Sequence, residues 1–259
     1  MRQLAPYAVL YLLAIACAAG VATASQAAEA PLAVQIGYLG YRPDPGPLLS
    51  NVIPEPADAG QRGAELAIID SNSTGAFLNQ RYSLTAATAD SPDALLAAAQ
   101  AQHAQGLRLF VVNAPAASLR QLSAALPDSL LFNAGSPDDS LRSTDCLGNV
   151  LHTLPSRAML ADALAQFLVV RKWQKALLIV GPTEDDQAYA AALRRAAKRF
   201  GVKLVAEKAW RFDNDQRRSA QADMPLFTQT AEYDVVLVAD ERGDFGEYVP
   251  YQRSEERRV

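Results

Sequence analysis

The chain has 259 residues, of which 50% are hydrophobic and 20% are charged, a composition typical of a globular protein with a sizeable core. Its formal net charge of -4 argues against a nucleic-acid partner, because proteins that bind nucleic acids usually present a basic face.

The amino terminus, residues 1–24, has the pattern of a secretory signal peptide. Arg2 is followed by the apolar run 8–19 and then by small residues, with candidate cleavage sites after Ala24 or Ala27. The apolar run is shorter than the roughly 20 residues of a transmembrane helix. The remaining chain is therefore expected to be exported to the periplasm.

The two cysteines leave an alternative open. Cys17 stands at the end of the apolar run, where the lipid-modified cysteine of a lipoprotein would lie, but residues 14–16 lack the usual leucine. Soluble export is the favoured interpretation. Removal of the signal would leave Cys146 as a lone thiol, which we expect to be buried as a small apolar residue.

Strands and helices alternate in the first half of the chain. The stretch 40–56 contains five prolines, which exclude a helix or strand interior and predict a long loop. The apolar spacing in 57–72, which includes Leu66 and Ile69, predicts a helix packed on a sheet. The predicted strands are 33–39, 81–87, 107–112 and 129–133, and the further predicted helices are 91–105 and 117–126.

A second series follows a polar segment, 134–149, which predicts a crossover between two lobes. Gly201 is placed where a left-handed residue would end a helix. Residues 210–225 are charged and irregular. The predicted helices of this series are 156–173 and 185–200, and the predicted strands are 175–180, 202–209 and 233–239.

The alternation predicts an α/β fold with two lobes, each built on an open, mainly parallel sheet. The expected lobes are 25–149 and 150–252, with the second lobe incomplete, and 253–259 is interpreted as a non-native tail. Ligands of such sheets bind beyond the carboxyl ends of the strands, so a cleft between the lobes is expected to close by a hinge.

Motifs of catalysis and cofactor binding are missing from the sequence. It contains no Gly-x-Ser-x-Gly elbow, no phosphate-binding Gly-x-x-x-x-Gly-Lys and no dinucleotide-binding Gly-x-Gly-x-x-Gly. His103 and His152 stand far apart, and 213–215 has only a fragment of a calcium loop. We therefore predict neither an enzyme nor a resident cofactor or metal.

Three stretches resemble a known family. Residues 34–40 with 60–67 are similar to its first strand and helix, 151–165 to its crossover, and 173–180 with 189–194 to the first strand and helix of its second lobe. The family is the type I periplasmic substrate-binding proteins of ABC transporters, of the Leu/Ile/Val-binding-like kind. The resemblance implies capture of a small polar or anionic solute and a permease of the inner membrane as partner.

A narrower resemblance rests on 49–56, 70–77 and 156–163. These stretches are similar to binding proteins of transport systems associated with alcohol oxidation dependent on pyrroloquinoline quinone (PQQ). The association is with a pathway and does not imply that the chain binds PQQ. The alternative function is a periplasmic sensory receptor for an alcohol-derived metabolite.

The resemblance also implies ligand-binding residues. The loop after the fourth strand would present backbone amides, at Ala134 among others, and the hydroxyl of Ser136 to a ligand carboxylate. Asn113 and Ala114 match a second ligand-facing loop after the preceding strand.

Aromatic and acidic residues complete the implied site. Tyr189 matches an aromatic residue that closes over the ligand. Tyr38 and Tyr41 form either a stacking wall for the ligand or packing at the end of a strand. Asp185 and Asp186 meet a ligand amine or stabilise the amino terminus of their helix, and the helix role is favoured.

Overall fold

The structure is a computed structural model that describes residues 30–43, 56, 58–211, 226–241, 243, 245, 246 and 249. The predicted signal peptide, Cys17, the segment 213–215 and the interpreted tail 253–259 lie outside these residues, as does most of the proline-rich loop. One compact unit contains the described residues 30–34 and 65–83, and the other is drawn from 35–64 and 84–259.

Strands and helices alternate along the described chain, as the sequence predicts. Two short 3-10 turns, Ala76–Leu78 and Asp139–Arg142, interrupt the order. The elements are β1 (Leu32–Tyr41), α1 (Gln61–Gly75), β2 (Gln80–Ala89), α2 (Pro92–Ala104), β3 (Leu109–Asn113), α3 (Ala116–Ala125), β4 (Leu130–Asn133), β5 (Val150–His152), α4 (Arg157–Val170), β6 (Lys175–Val180), α5 (Glu184–Phe200), β7 (Lys203–Ala209) and β8 (Val235–Ala239).

The strands form two sheets. The first has the order β2-β1-β3-β4-β5, and β1, β3, β4 and β5 pair in parallel. The second has the order β7-β6-β8, and both of its pairings are parallel. The predicted α/β fold with open, mainly parallel sheets is confirmed.

The first sheet extends beyond the end that we predicted for the first lobe. Val150–His152 pairs with β4 as its fifth strand, although the sequence analysis assigned these residues to the second lobe. A strand of three residues is too short for its apolar pattern to be recognised. The division into lobes at other positions stays a prediction.

Each sheet has an apolar core. In the first, α2 and α3 cover one face, where Leu95, Phe110 and Leu119 are fully buried. In the second, β6 is central, and its residues from Ala176 to Val180 are all buried, as expected for a parallel strand covered on both faces. Leu178 packs with residues of α4 and α5, while Ile179 packs on the other face with Trp210 and Phe245.

Local signals fix the ends of α5. The hydroxyl of Thr183 accepts a hydrogen bond from the backbone N–H of Asp186 at 3.1 Å, and the Asp186 carboxylate accepts one from the N–H of Thr183 at 3.1 Å. This reciprocal capping box satisfies two otherwise unpaired amides of the first turn. The helix ends at Gly201, whose φ of 77° confirms the predicted left-handed residue.

Two expectations about burial are wrong. Cys146 is exposed, because it lies in a surface turn in which residues 143–146 are all exposed. In α1, Leu66 and Ile69 are 59% and 66% exposed, whereas Ala64 and Ile68 are half-buried. Of the residues of α1, only Gly75 is buried, so the helix buries less of its apolar surface than the sequence predicts.

The first helix also starts later than predicted. Residues 58–60 form a turn, and Gly60 has a φ of 81°, which a right-handed helix does not accommodate. The helix therefore begins at Gln61 rather than at residue 57. Asp58 lies before the helix and pairs with Arg62, with the carboxylate oxygen 2.7 Å from Nε.

Among the described helices, none combines the length and apolarity needed to cross a membrane.

Two glycine substitutions test the backbone geometry. Gly201→Ala should destabilise the protein by about 1 kcal/mol, because an L side chain is strained at positive φ. Gly63→Ala, within α1, should stabilise it by up to about 1 kcal/mol, because alanine favours the helix. An added Cβ meets no atom within 4 Å at either position, so the backbone alone distinguishes the two. Urea unfolding followed by circular dichroism measures both, and equal effects would contradict the assignment at Gly201.

Candidate ligand-binding site

An open cavity of about 390 Å³ lies beyond the carboxyl ends of β1, β3 and β4. All of its lining residues belong to the larger compact unit. The lining residues are Tyr41, Pro43, Asn113, Ala114, Pro115, Ala116, Gly135, Ser136, Pro137, Asp138, Arg157, Asp185 and Glu241. Four of the predicted site residues, Tyr41, Asn113, Ala114 and Ser136, are thus brought together here.

The corner between β3 and α3 contributes polar backbone to the cavity. Pro115 is the N-cap residue of α3 and makes no side-chain cap, because proline has no side-chain acceptor. Ala116, the first residue of the helix, lines the cavity. The amino terminus of α3 therefore reaches the cavity wall with the partial positive charge of a helix start.

The loop after β4 is held by one buried side chain. Asn133 is fully buried, and its Oδ1 accepts hydrogen bonds from the backbone N–H groups of Gly135 at 3.2 Å and Ser136 at 2.9 Å. Its Nδ2 donates to the carbonyl oxygen of Ser136 at 2.8 Å. Ser136 is 4% exposed, and its hydroxyl accepts from the Asp138 N–H at 3.4 Å. Asn133 thus fixes the shape of the loop that bears Ser136.

The two tyrosines of β1 differ in position. Tyr41 lines the cavity, whereas Tyr38 is 3% exposed and lines a smaller neighbouring cavity of about 60 Å³. The Tyr38 hydroxyl accepts a hydrogen bond from Asn113 Nδ2 at 3.3 Å. A Cβ added to Gly60 would lie 2.5 Å from that hydroxyl, so Tyr38 packs closely under the turn before α1.

A charged cluster also lines the cavity. Arg157, the first residue of α4, has a side chain that is only 7% exposed. Its Nη2 donates to Asp185 Oδ1 at 2.7 Å and to Glu241 Oε2 at 2.8 Å, and its Nε donates to the other oxygen of Glu241. The guanidinium therefore binds Glu241 through two nitrogens, the arrangement that favours strong, directional pairing.

The acids of this cluster maintain the charge on Arg157. Burial opposes the charge, but the hydrogen bond from Arg157 to Glu241 and the attraction of Glu241, Asp185 and Asp138 outweigh it, so the pKa of Arg157 is raised. Asp186 is 1% exposed, and its Oδ1 accepts from the backbone N–H of Glu241 at 2.9 Å. Asp186 thus has the helix-capping role that we favoured and also positions Glu241.

Besides Tyr38, two predicted residues do not line the cavity. Ala134 is exposed beside it, and Tyr189 is half-buried against the core of the second sheet. Burial, followed by the charge of Glu241, raises the pKa of Tyr189. Their roles in ligand binding stay predictions.

Sequence reasoning missed Arg157, Glu241 and Asp138. One signal for Arg157 was available, since a basic residue directly after the N-cap Ser156 faces the positive end of a helix and requires compensation. Glu241 carries no comparable local signal, because it meets Arg157 across 84 positions of the chain.

Replacing Arg157 should reveal the cost of an unbalanced cluster. We expect Arg157→Met to lower the free energy of unfolding by about 2 kcal/mol, less than the roughly 3–5 kcal/mol of a fully buried pair. The expected cost is smaller than that of a fully buried pair because the Asp185 side chain is 58% exposed. Chemical denaturation measures the difference.

Arg194→Met is the matched control. Arg194 pairs with Glu207 at 2.6 Å on the surface, with both side chains more than a third exposed. Its loss should cost less than about 1 kcal/mol. Equal destabilisation by the two substitutions would contradict the special position of Arg157.

Comparisons with known proteins extend the description of the fold. No protein-family model and no curated sequence matches the chain. Several solved structures do match the chain. An ABC transporter substrate-binding protein from Desulfitobacterium hafniense, in complex with Leu, is 15% identical with a TM-score of 0.61, over 87% of this chain and 63% of that one.

Two further structures agree. The leucine-, isoleucine-, valine-, threonine- and alanine-binding protein from Brucella ovis, in a closed conformation, is 16% identical with a TM-score of 0.62, over 88% of this chain and 58% of that one. The branched-chain amino acid transporter substrate binding protein LivJ from Streptococcus pneumoniae, in complex with isoleucine, is 14% identical with a TM-score of 0.58, over 87% and 61%. The first and third of these structures are named as substrate-binding proteins of transporters. The chain has the type I periplasmic-binding-protein fold of these structures and spans 58–63% of their length.

Proposed function

We propose that the protein is the solute-binding component of an ABC uptake system and captures a small polar or anionic molecule in the cavity beyond β1, β3 and β4. The observation that carries this proposal is the convergence of an uncapped helix start, the Ser136 loop and a charged cluster on one cavity of about 390 Å³. That volume lies within the usual range for small-molecule sites. The shared fold of transporter binding proteins supports the same function.

The α3 side of the cavity suits a carboxylate. The amino terminus of α3 offers backbone N–H groups and a partial positive charge, and Ser136 adds a hydroxyl. Hydrogen bonds from such groups to an ionised oxygen are about twice as strong as neutral ones. The proposed position of a ligand carboxylate is therefore between Ala116 and Ser136.

The charged cluster around Arg157 suits an amine. Arg157 already pairs with Asp185 and Glu241, so its positive charge is largely compensated for an incoming ligand. The Asp185 side chain is 58% exposed, which leaves acceptor capacity directed to a cationic group. A zwitterion such as an amino acid satisfies both the α3 side and the charged cluster. The neighbouring structures with Leu and isoleucine bound are consistent with this ligand class.

The cellular setting belongs to the same proposal. The signal pattern of residues 1–24 supports export to the periplasm, where the protein would deliver its ligand to an inner-membrane permease. Tighter binding to a closed state would shift the population towards the form that the permease accepts. The narrower resemblance makes alcohol catabolism dependent on PQQ the proposed pathway, an association that does not imply PQQ binding by the chain itself.

A thermal-shift screen tests the function directly. The compounds are amino acids, short carboxylates, alcohols, aldehydes and PQQ, each added to the purified protein. A ligand at 100 times its Kd should stabilise the native state by about 2.7 kcal/mol and raise Tm. We expect a selective shift with amino acids or carboxylates. No shift across the screen with a cooperatively melting sample would count against a binding protein for these classes.

Ser136→Ala tests the site. Loss of a hydroxyl that binds a charged group should cost about 1.5–3 kcal/mol, which weakens Kd roughly 10- to 150-fold. Ser129→Ala is the matched control, because Ser129 is a buried serine before β4 whose hydroxyl has no partner among the described residues. Isothermal titration of the compound found in the screen measures both. Unchanged affinity in Ser136→Ala would remove Ser136 from the site.

Tyr189→Ala tests the predicted ligand contact of Tyr189 in the same assay.

A further inference from the structure

The carboxyl edge of the first sheet contains a hydrogen-bonded chain that the proposed function does not use. Asn133, at the end of β4, lies opposite His152, at the end of β5. Asn133 Nδ2 and His152 Nδ1 are 3.0 Å apart. The same Asn133 side chain holds the loop that carries Gly135 and Ser136. His152 is therefore one step removed from the cavity wall.

The orientation of the Asn133 amide is fixed by its neighbours. Its oxygen must face the backbone N–H groups of Gly135 and Ser136, because both are donors. Its nitrogen then faces the Ser136 carbonyl and His152 Nδ1. Rotation of the amide by 180° would place its N–H₂ against the N–H groups of Gly135 and Ser136, and its oxygen against the Ser136 carbonyl.

This orientation fixes the state of the imidazole. Since Asn133 Nδ2 is a donor, His152 Nδ1 must be an acceptor and carries no proton. The proton of the neutral ring is then on Nε2, and the ring forms a hydrogen bond with the backbone of Leu141. A second proton, on Nδ1, would face the amide N–H₂ of Asn133.

Arg142 is the other group that bears on His152. It belongs to the 3-10 turn Asp139–Arg142 and donates through Nη2 to the Leu154 carbonyl. Its Nη1 is buried and has no hydrogen-bond partner within the described part of the chain. Among the described residues, Arg142 is the charged side chain that acts on the imidazole, and its positive charge opposes protonation.

We propose that His152 is a positioning residue for the ligand loop: its neutral ring holds Asn133 and, through it, Gly135 and Ser136, and protonation releases this loop. The effect on ligand capture rests on the proposed function, whereas the effect on the loop does not. A solute bound at neutral pH would then be bound more weakly in a mildly acidic medium.

The direction of the pH dependence follows from the folded-state pKa. Burial, followed by the charge of Arg142, lowers the pKa of His152 below its ordinary value of 6.5, and the Leu141 hydrogen bond only partly offsets this. Above pH 6.5 the ring is neutral in both the closed and the released loop, so the closed loop has its full stability. As the pH falls below 6.5, the released form takes up a proton first and the closed loop loses stability.

Amide hydrogen exchange in the whole protein tests this without any ligand. Protection of Gly135 and Ser136, corrected for the intrinsic exchange rate, should fall by up to about tenfold between pH 7.5 and 5.5, the limit that linkage to one proton sets for a released-state pKa near 6.5. Ile179, in the buried strand β6, is the internal reference and should show no such fall. A flat profile for Gly135 and Ser136 would overturn the proposal.

Two substitutions separate the proton from the shape of the side chain. His152→Asn retains an acceptor near the position of Nδ1 but does not titrate, so its loop should stay protected at both pH values. His152→Phe removes the acceptor and should lose protection at both. If His152→Phe fails to fold, His152→Asn alone decides, and an acid-induced loss equal to that of the unmodified protein would refute the role of His152.

Titration calorimetry with L-leucine at pH 7.5 and 5.5 adds the functional readout. If leucine binds, its Kd should rise at pH 5.5 in the unmodified protein in proportion to the fraction of loop released, by at most about tenfold, and stay constant in His152→Asn. A leucine Kd that rises equally in both proteins would overturn the link to capture. If leucine does not bind while the exchange data show the expected contrast, the ligand class is wrong and the role of His152 in positioning the loop stands.

Discussion

Parallel, in-register pairing of β1, β3, β4 and β5 is the constraint on which the site depends. Gly40 lies opposite Asn113, Val112 opposite Asn133, and Asn133 opposite His152. Because all four strands run in the same direction, each chain segment that leaves the sheet at this edge does so next to the others. The residues that follow the strands are therefore gathered around one cavity without any need for proximity in sequence. The same pairing places His152 beside the asparagine that holds the ligand loop.

The charge of the cluster around Arg157 is governed by helix starts. Arg157 opens α4 and Asp185 lies in the first turn of α5, so a basic and an acidic residue meet where both helices begin. The macrodipole disfavours the arginine and favours the aspartate. Pairing with Asp185 and Glu241 compensates the buried guanidinium, and Asp186 anchors the backbone of Glu241. The cluster is thus charged but internally balanced.

Local physics explains what sequence reasoning predicted well. The strand Lys175–Val180 has the predicted bounds, because a short run of buried apolar residues between a polar turn and a helix cap has few other structures. Gly201 ends α5 as predicted, because glycine accommodates the left-handed backbone of a helix cap without strain. The three-residue β5 has too few residues for a pattern, and the exposure of Cys146 depends on how a surface turn packs. These features depend on neighbours that are distant in the chain.

The sequence by itself determined the alternation of strands and helices, and with it the parallel sheets and the edge at which a ligand would bind. The family resemblance implied Asn113 and Ser136 as site residues, and both line the cavity at that edge. Only the tertiary structure decided that Arg157 meets Glu241 and that Asn133 meets His152. Such contacts depend on the angles and register at which whole elements pack, and no local pattern of residue types specifies them.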